Sequence, residues 1–468
     1  MNIITNIIIF CNVFFLFYLV VYASSLLVSN MYGSIKMYRY RKLERLHNEL
    51  DHEFYFPISI IVPAYNENVT AIQTINNLLK LDYRLFEIIV VDDGSTDNTK
   101  QLLIDTFGLK RDTDMPIRYQ VPCRPIKEVY KGKSGNIPIL LISKENGRCK
   151  ADANNAAINV MSYPYFVCMD ADEVLQRDAL KYASRAILEE NNVIGIGGNI
   201  KISNNVSFGD AMPVSASLGK NFISDMQILE YGRAFVGSRI FQNLMNSNLI
   251  ISGGYGVFKK SAVVAVGGYD QKSIGEDMEL TMKLHEYYRK NKLPYSMKYV
   301  PDSVCWTQAP ESLKDLKKQR ERWHCGLMQN FWKYRRMLLN PKYGIIGMLT
   351  IPFMMLYELY CPFFILLGWL TIIASTILKI INVPYVVIIS LVYVLLGILL
   401  TITSFIDKLY MKSDYFSAVD VIKGLGIAII DAFFFRPFLF IIEFFAFFKY
   451  KKISKNWVSP KRVQVKTE

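Results

Sequence analysis

Residues 58–67 read ISIIVPAYNE, in which a run of mainly β-branched and apolar residues, Ile58–Ala64, is followed by polar ones. Such a run is typical of a strand buried on both faces, as in a parallel sheet. Glu87–Val91 (EIIVV) and Tyr165–Met169 (YFVCM) repeat the pattern, and Thr70–Leu81 between the first two runs has helical spacing. Strand, helix and strand in this order predict a parallel sheet with crossover helices, so residues 57–305 are interpreted as an α/β domain.

Polar residues follow each predicted strand at the point where it ends. The three clusters are Pro63–Glu67 (PAYNE), Asp92–Ser95 (DDGS) and Asp170–Asp172 (DAD). In open parallel sheets, ligands bind at the carboxyl ends of the strands. Each cluster alone is compatible with an ordinary turn or helix start. Three of them in order, each ending a buried strand, predict one composite binding site.

The third cluster has the ligand chemistry of a divalent cation. Asp170 and Asp172 are two residues apart, so at a strand end both carboxylates can face one point. Two hard oxygen ligands suit Mg²⁺ or Mn²⁺, which keep several waters and take further ligands from phosphates. The sequence therefore predicts a Mg²⁺ or Mn²⁺ site at these two residues.

Two further stretches hold charged residues at predicted helix starts. Lys150 precedes a small-residue helix, which is a suitable place for an anion, although a solvated lysine is the alternative. Gly275–Asp277 (GED) opens a helical pattern that covers Met278–Tyr288. Asp277 is interpreted as a general base, and a simple N-cap is the alternative.

The motif QRERW occupies residues 319–323, inside a predicted amphipathic helix at Ser312–Phe331. In a helix Gln319, Arg322 and Trp323 share one face. Arg322 is a candidate for binding a diphosphate, and Trp323 offers a flat platform for a sugar ring. In the alternative interpretation, Trp323 only anchors the helix at a membrane surface. The mixture of basic and apolar residues predicts a helix that lies flat on such a surface.

Hydrophobic residues make up 51% of the 468 residues, and the mean hydropathy is +0.19, which together indicate membrane segments. Ile3–Val28 is almost wholly apolar and long enough to cross a bilayer. A signal peptide is the alternative interpretation, against which no basic region precedes the run and no cleavage site follows it. The basic residues after it predict an N-terminus outside and a cytosolic chain thereafter. They are Lys36, Arg39, Arg41, Lys42 and Arg45.

The C-terminal third is predicted to hold a surface helix near 344–357. Two membrane spans are predicted after it, near 359–379 and at Pro384–Ile406. The basic residues Lys408 and Lys412 then indicate that the chain is back in the cytosol. The stretch Ile422–Phe448 has two interpretations, a single span or a hairpin. The hairpin, turning at Arg436–Pro437, is favoured because it keeps the basic tail inside.

The net charge of +13 is concentrated beside apolar runs, so it indicates membrane contact and not a nucleic-acid partner. The seven cysteines form no CxxC pair, which fits a reducing compartment or lipid. The predicted organisation is a transmembrane helix (1–30), a basic cytosolic linker (31–56), the α/β domain (57–305) with a surface insertion at about 108–143, interfacial helices (306–357), transmembrane helices (358–449) and a basic cytosolic tail (450–468).

The motifs PAYNE, DDGS, KADANN, DAD, GED and QRERW, in this order and flanked by predicted spans, resemble those of processive family 2 glycosyltransferases. These enzymes include the synthases of cellulose, hyaluronan, poly-N-acetylglucosamine and mixed-linkage β-glucan. The resemblance covers about residues 55–460. It implies a cytosolic GT-A catalytic domain, a Rossmann-like mixed sheet, joined to interfacial and transmembrane helices that form a channel in the plasma membrane.

The resemblance also implies roles for individual residues. A UDP-sugar would be bound by Tyr65, Glu67, Asp92, Asp93, Lys150, Asp170 and Arg322, with the metal at Asp170 and Asp172. Asp277 would be the base of an inverting transfer. A nascent polysaccharide acceptor would be bound by Gly254, Tyr255, Glu276, Gln319 and Trp323. An accessory protein for secretion is a further implied partner, and the oligomeric state is not indicated.

The chain departs from the cellulose synthases in reading GED where TED is usual and in its insertion. It is expected to have no PilZ domain after the spans. Its overall pattern is most similar to Gram-positive β-glucan synthases of the mixed 1,3;1,4-linked kind, although the tail Trp457–Pro460 resembles the poly-N-acetylglucosamine group. UDP-glucose is therefore the expected donor, with UDP-N-acetylglucosamine as the alternative. Transfer of one sugar to a lipid carrier and an inactive secretion scaffold are the other hypotheses.

Overall fold

The computed structural model describes residues 2–47, 55–219, 221–404 and 417–453. Several features predicted from the sequence lie outside these described residues. They are part of the basic linker (48–54), the end of the span Pro384–Ile406, Lys408, Lys412 and the tail after residue 453, with its motif Trp457–Pro460.

The described chain forms two compact units. The first, called the sheet unit, lies within His47–Ala216 and Gln242–Ala309. The second, called the membrane unit, lies within Met1–Leu46, Ser217–Phe241 and Pro310–Asn456. The sequence placed all of 57–305 in one catalytic domain, whereas here residues 217–241 group with the apolar helices.

The sheet unit is built on strands that alternate with helices. The strands are β1 (Ile58–Ala64), β2 (Phe86–Asp92), β3 (Lys110–Arg111), β4 (Ile126–Ser134), β5 (Ile137–Lys144), β6 (Tyr165–Cys168), β7 (Val174–Leu175), β8 (Val193–Ile202), β9 (Val206–Gly209), β10 (Met212–Ala216), β11 (Gly256–Lys259) and β12 (Ser296–Thr307). The helices are Ala71–Leu78, Thr99–Phe107, Lys150–Val160, Ala179–Glu189, Lys260–Ala265 and Glu276–Lys290, and Arg239–Leu244 runs across the boundary between the units.

Ten of these strands form one mixed sheet in the order β3-β4-β5-β2-β1-β6-β11-β8-β12-β7. The four central strands β5, β2, β1 and β6 run parallel to one another, and β11 is antiparallel to both of its neighbours. Because helices cover this sheet, β1 and β2 are buried almost throughout, as their continuous apolar runs predicted. The predicted α/β mixed-sheet fold is confirmed.

The predicted surface insertion at about 108–143 is wrong for its second half. Residues 126–144 form β4 and β5, and β5 is largely buried and pairs in parallel with β2 inside the main sheet. Pro138 lies within this strand, IPILLISK, although proline is disfavoured inside a sheet. It is tolerated because it lies near the start of β5, where it faces Lys133 of the antiparallel β4, while the ladder with β2 begins at Ile139.

The membrane unit consists almost wholly of helices. They are Asn2–His47, Phe222–Arg233, Leu313–Lys333, Ile351–Met354, Cys361–Ile377, Val383–Ser404, Ala418–Ile430 and Arg436–Ile453, with π-helical turns at Ala234–Ser238, Ile346–Thr350, Met355–Leu359 and Asp431–Phe435 and 3₁₀ turns at Arg335–Met337 and Pro341–Tyr343. The first helix continues through most of the predicted linker.

Among the described residues, two helices are long and apolar enough to cross a membrane, Ile3–Lys36 and Ala418–Lys451. A third span results if Ile346–Leu359 and Cys361–Ile377 count together, although these two helices bend by 49° where they meet. The sequence predicted this break. The multi-pass arrangement and the side on which the N-terminus lies stay predictions.

The favoured hairpin at Arg436–Pro437 is wrong, because Ala418–Lys451 runs as one helix. A proline inside a helix removes one backbone hydrogen bond and its ring collides with the preceding turn. Here the preceding turn, Asp431–Phe435, is π-helical, and the N–H of Arg436 bonds the carbonyl of Asp431 five residues back. The wider turn gives the ring of Pro437 room, so the helix continues.

Candidate active site

The predicted polar clusters of the sheet unit meet at one edge of the sheet. Ala64 pairs with Asp92 across β1 and β2, and Ile61 pairs with Cys168 across β1 and β6. β11 runs the other way and begins at Gly256, opposite Cys168, so the residues before it reach the same edge. The structure thus brings together segments that lie far apart in the sequence, as the parallel order predicted.

Asn66 joins the first two clusters, a role that the sequence did not reveal. Its backbone has a φ of 56°, in the left-handed region that asparagine tolerates better than most residues. Its N–H donates to Oγ of Ser95 (3.1 Å), and its side-chain oxygen accepts from the N–H of Thr96 (2.9 Å). The PAYNE and DDGS loops are therefore held as one surface.

Two predicted nucleotide-binding residues flank Asn66. Tyr65 is 39% exposed and so accessible to a ligand. Glu67 is buried; its N–H donates to Oγ1 of Thr99 (2.9 Å), and its carboxylate accepts from the hydroxyl of Thr70. Glu67 thus also fixes the turn that leads into the helix Ala71–Leu78. If its carboxylate contacts a nucleotide, it does so while it also bonds Thr70.

The two aspartates of DDGS have different surroundings. Asp92 accepts from the N–H of Ser95 (3.0 Å) and from Oγ of Ser143 (3.4 Å). Asp93 bonds the N–H of Gly147 (3.0 Å) and forms an ion pair with the fully buried Lys144. Both carboxylates are therefore buried and engaged in internal contacts, Asp92 through neutral hydrogen-bond donors and Asp93 through the charge of Lys144.

Lys144 forms the centre of a buried cluster that sequence reasoning missed. Its ammonium pairs with Asp93 and with Asp152, whose side chain has no exposed surface. One cation between two buried carboxylates ties the end of β5 to the end of β2 and to the helix Lys150–Val160. The cluster fixes the loop that precedes Lys150.

Lys150 lies at the first position of its helix, as predicted, and bridges two segments. Its ammonium donates to Oδ1 of Asp170 (2.7 Å) and to the carbonyl of Gly253 (2.7 Å). Burial would lower the pKa of Lys150, but the charges of Asp170, Glu173 and Glu276 outweigh it and raise the pKa. Lys150 is therefore a fixed positive charge beside the predicted metal ligands.

Gly253 connects this pair to Asp277. Its N–H donates to Oδ2 of Asp277 (3.0 Å), while its carbonyl accepts from Lys150. Oδ1 of Asp277 accepts from the N–H of Met278 (2.8 Å) at the start of the helix Glu276–Lys290. Each oxygen of Asp277 thus accepts one backbone hydrogen bond and keeps a lone pair for another donor. A small cavity beside them is lined by Lys150, Gly253, Glu276 and Asp277, among others.

Glu173, directly after the DAD motif, is a second residue that the sequence did not single out. Its carboxylate accepts from the N–H of Asp170 (2.9 Å) and is buried. A Cβ on Gly254 would collide with this carboxylate, so a larger residue there requires Glu173 to move. Burial and the charges of Asp170 and Asp172 raise the pKa of Glu173 well above its usual range.

The prediction that Tyr255 contacts an acceptor is wrong for its side chain. Tyr255 has no exposed surface, and its hydroxyl pairs with Oγ of Ser303 (2.6 Å). Its ring packs where a Cβ on Gly198 would stand. The apolar ring is more stable in the core than in water, so Tyr255 contributes to the site by packing in the core and not by contacting a ligand.

The chemistry of Asp170 and Asp172 fits a divalent cation. Both residues are partly exposed, with 38% of the Asp170 side chain accessible. Within the part of the chain that the structure describes, no three His, Cys, Asp or Glu side chains come together to hold a metal. Two carboxylates without a complete protein cage suit Mg²⁺ or Mn²⁺, which take waters and phosphates as remaining ligands.

The QRERW motif lies in the membrane unit, on the helix Leu313–Lys333, as predicted. Ser312 caps this helix by accepting from the N–H of Asp315 (3.2 Å). Trp323 is 39% exposed, and Arg322 is partly exposed. Among the described side chains, Oε1 of Gln319 is a buried oxygen without a hydrogen-bond partner. The exposed indole is accessible to a ligand, whereas the oxygen of Gln319 would have to become exposed to accept a hydrogen bond from one.

Two protein families match the sequence of this chain. Residues 165–406 match the family described as Glycosyl transferase family group 2, and residues 59–119 match Glycosyl transferase family 2. The first match covers more than half of the chain. The chain belongs to glycosyl transferase family group 2. The prediction of glycosyltransferase class is therefore confirmed at the level of the family.

Curated relatives carry more specific names. The chain is 32% identical over 309 residues to poly-beta-1,6-N-acetyl-D-glucosamine synthase of Staphylococcus aureus (strain COL), covering 64% of each chain. It is 31% identical over 286 residues to the synthase of that name from Staphylococcus epidermidis, covering 60% of this chain and 58% of the relative. The chain thus matches less than two thirds of each relative's length. These relatives are not β-glucan synthases, so the expected glucan specificity is not supported.

Among solved structures, the chain is similar to a mannosyltransferase from Pyrobaculum calidifontis in complex with GDP-mannose and Mn²⁺. The identity is 16% and the TM-score 0.49, over 88% of this chain and 98% of the other.

Proposed function

We propose that this chain is a processive, inverting glycosyltransferase that polymerises sugar from a UDP-sugar and passes the polymer across the plasma membrane. The observation that carries the proposal is the link through Gly253. This one residue bonds the proposed base Asp277 through its N–H and the Lys150–Asp170 pair through its carbonyl. A base and a cation that neutralises a leaving group are the two parts that a single displacement requires.

In the proposed reaction, Asp277 removes the proton of an acceptor hydroxyl while that oxygen attacks the anomeric carbon of the donor. The bond from this carbon to the diphosphate breaks on the opposite face, and UDP leaves with the electron pair. The two backbone hydrogen bonds to Asp277 orient its carboxylate without neutralising it. One displacement inverts the anomeric centre and needs no protein nucleophile, by analogy with inverting hydrolysis.

The donor would be held by residues of the DDGS and PAYNE loops, by two basic side chains and by a divalent cation. We propose that Tyr65, Glu67, Asp92 and Asp93 surround the uridine, with Asp93 acting mainly through the loop that it shapes. Lys150 and Arg322 are proposed diphosphate contacts. Asp170 and Asp172 would hold Mg²⁺ or Mn²⁺, which when bound neutralises charge that develops on the leaving diphosphate.

Retention of the growing polymer is assigned to the other predicted acceptor residues. We propose that Trp323 stacks on a sugar ring and that Gln319 accepts from a sugar hydroxyl. Gly254 and Glu276 are proposed to line the acceptor side, whereas the buried ring of Tyr255 supports them. The apolar helices of the membrane unit would embed the enzyme in the bilayer and provide the passage for the product.

N-acetylglucosamine is the sugar that we propose first, because the curated relatives are named as synthases of its polymer. UDP-glucose, the donor expected from the sequence, stays the competing candidate. The two donors differ in the group at C2 of the ring, so one comparison separates them.

The test is to incubate purified full-length protein with Mg²⁺ or Mn²⁺ and with each radiolabelled UDP-sugar separately. We expect polymer from UDP-N-acetylglucosamine that a hexosaminidase specific for β-1,6 linkages degrades and a β-glucanase does not. Polymer from UDP-glucose alone, degraded by a glucanase, would replace the sugar assignment and keep the reaction. Transfer of a single sugar to a lipid carrier, or no transfer from any donor, would contradict the proposed function.

A further inference from the structure

Arg320, the second residue of the QRERW motif, has two contacts that single it out. Its guanidinium forms two hydrogen bonds with the carboxylate of Glu230, at 2.8 and 2.6 Å. The same group lies over the indole of Trp323, 4.7 Å from the ring centroid. A planar guanidinium can bind a carboxylate through its edge and an aromatic ring through its face at the same time. Arg320 therefore links Glu230 to Trp323.

The pair is buried and permanently charged. Arg320 is 6% exposed, and the side chain of Glu230 is 20% exposed. Burial would raise the pKa of Glu230, but the charges of Arg320, Arg436 and Arg233 and the hydrogen bonds from Arg320 lower it to about 2. An ion pair in such a place is held only by good geometry, because both charges have lost their water. The orientation of Arg320 is thus tightly specified.

The helix that carries Glu230 is itself fixed at both ends. Asn221 caps Phe222–Arg233 by accepting from the N–H groups of Ile223 and Ser224. At the other end Arg233 donates to Oδ2 of Asp431 (3.1 Å), inside the long apolar helix. The contacts at both helix ends therefore fix the position of Glu230, which binds Arg320.

The helix Phe222–Arg233, which carries Glu230, also places a second aromatic ring beside the indole of Trp323. The ring of Tyr231, the residue after Glu230, lies 6.4 Å from it at an angle of 46°. Trp323 thus contacts Arg320 and Tyr231 yet keeps 39% of its surface exposed. A ring supported in this way can present its open surface in a constant orientation, which is what stacking on a sugar requires.

We propose that Glu230 and Arg320 are positioning residues that fix the indole of Trp323 for binding of the growing sugar chain. This inference rests on the proposed function, in which Trp323 is the acceptor platform. Neither residue touches the sugar. Loss of either one lets the indole change its orientation, so the polymer dissociates earlier while the donor is bound as before.

The test compares Glu230→Gln and Arg320→Lys in the purified full-length protein, each with Trp323 present and with Trp323→Ala. Both variants keep the approximate size of the side chain. Glu230→Gln removes the negative charge, and Arg320→Lys replaces the planar guanidinium by an ammonium group. Glu321→Gln is the matched control, since Glu321 on the same helix pairs with Lys449 (2.7 Å). The readouts are product length, the KM for the UDP-sugar and thermal unfolding.

We expect Glu230→Gln and Arg320→Lys to shorten the product roughly tenfold, the effect of losing charge-assisted hydrogen bonds. The donor KM should change by less than about twofold, because donor contacts are intact. In the Trp323→Ala background neither variant should shorten the product further, since both act through the indole. Glu321→Gln should give product of normal length.

Unchanged product length in both variants, or effects that add to that of Trp323→Ala, would overturn the inference while polymer synthesis by the wild type upholds the proposed function. If Glu230→Gln fails to fold, Arg320→Lys decides alone. A wild-type protein that makes no polymer refutes the proposed function, and this inference with it.

Discussion

At the residue scale, Gly253 connects the proposed base to the proposed diphosphate site through its backbone alone. Its backbone bonds Asp277 on one side and Lys150 on the other, so three segments distant in sequence share one rigid contact. The adjacent Gly254 leaves room for the buried carboxylate of Glu173. The two glycines therefore fix the distance between the proposed base and the proposed diphosphate site.

The first prediction concerns Asp277 as the base. Asp277→Asn keeps the shape of the side chain but cannot take a proton, so we expect transfer to fall about 10²–10⁴-fold, the usual contribution of a general base. Binding of UDP, measured by calorimetry, should be unchanged. Glu286→Gln on the same helix is the control and should retain activity. Polymer at near wild-type rate from Asp277→Asn would show that another group is the base.

The second prediction compares the two glycines. Gly254→Ala places a methyl group against the carboxylate of Glu173, and overpacking of this kind destabilises by about 1–3 kcal/mol. At Gly253 a methyl group would meet its nearest atoms at 3.5 Å or more, so Gly253→Ala should leave stability close to that of the wild type. Thermal unfolding of the purified variants measures both. Equal melting temperatures would show that Glu173 moves aside freely.

The residues that form the site were largely predictable from the sequence, whereas the structural role of each one was not. Asp170 and Asp277 stand at the ends of recognisable elements, so periodicity and turn chemistry locate them. Lys144 and Glu173 read in the sequence as ordinary charged residues, because only the fold shows that they are buried. Tyr255 is the opposite case, since a tyrosine in a glycine-rich loop gives no sign of pointing into the core.

At the scale of elements, the same reasoning explains which predictions were correct. β1 and β2 are continuous apolar runs with a polar end, and they were predicted to within one residue at each end. β5 was missed because Pro138 and the basic residues around it conceal a buried strand. The hairpin at Pro437 was wrong because a π-helical turn is a tertiary adjustment that composition does not encode.

The third prediction concerns the cluster that joins β2, β5 and the helix Lys150–Val160. Lys144→Met leaves the carboxylates of Asp93 and Asp152 buried without their cation, and we expect a loss of about 3–5 kcal/mol, typical of a broken buried ion pair. Thermal unfolding of the full-length protein is the measurement.

The matched control is Lys181→Met, which breaks the exposed pair with Asp82. Because this pair is partly solvated, its loss should change stability by no more than about 1 kcal/mol. If both variants melt at the same temperature as the wild type, the buried cluster does not stabilise the loop before Lys150.

At the scale of the whole molecule, the chain leaves the sheet unit after Ala216 and returns at Gln242. Sequence reasoning joined these residues to the catalytic domain because no change of composition marks either boundary. Helix Phe222–Arg233 shows why they group elsewhere. It packs Met226 and Leu229 against Leu316, Ile427 and Leu439 of the membrane unit. Such a grouping depends on contacts far apart in sequence, which periodicity within one segment cannot reveal.

The central claim is that one chain both adds sugars and retains its product. The most direct test is the length of the product formed by purified protein at low conversion of a radiolabelled UDP-sugar, resolved on a gel. A processive enzyme releases long polymer while most acceptor stays unused, because each chain is extended many times before it dissociates. We therefore predict long product at the earliest times and little of intermediate length. Product that grows by one sugar at a time across the whole acceptor pool would contradict the account.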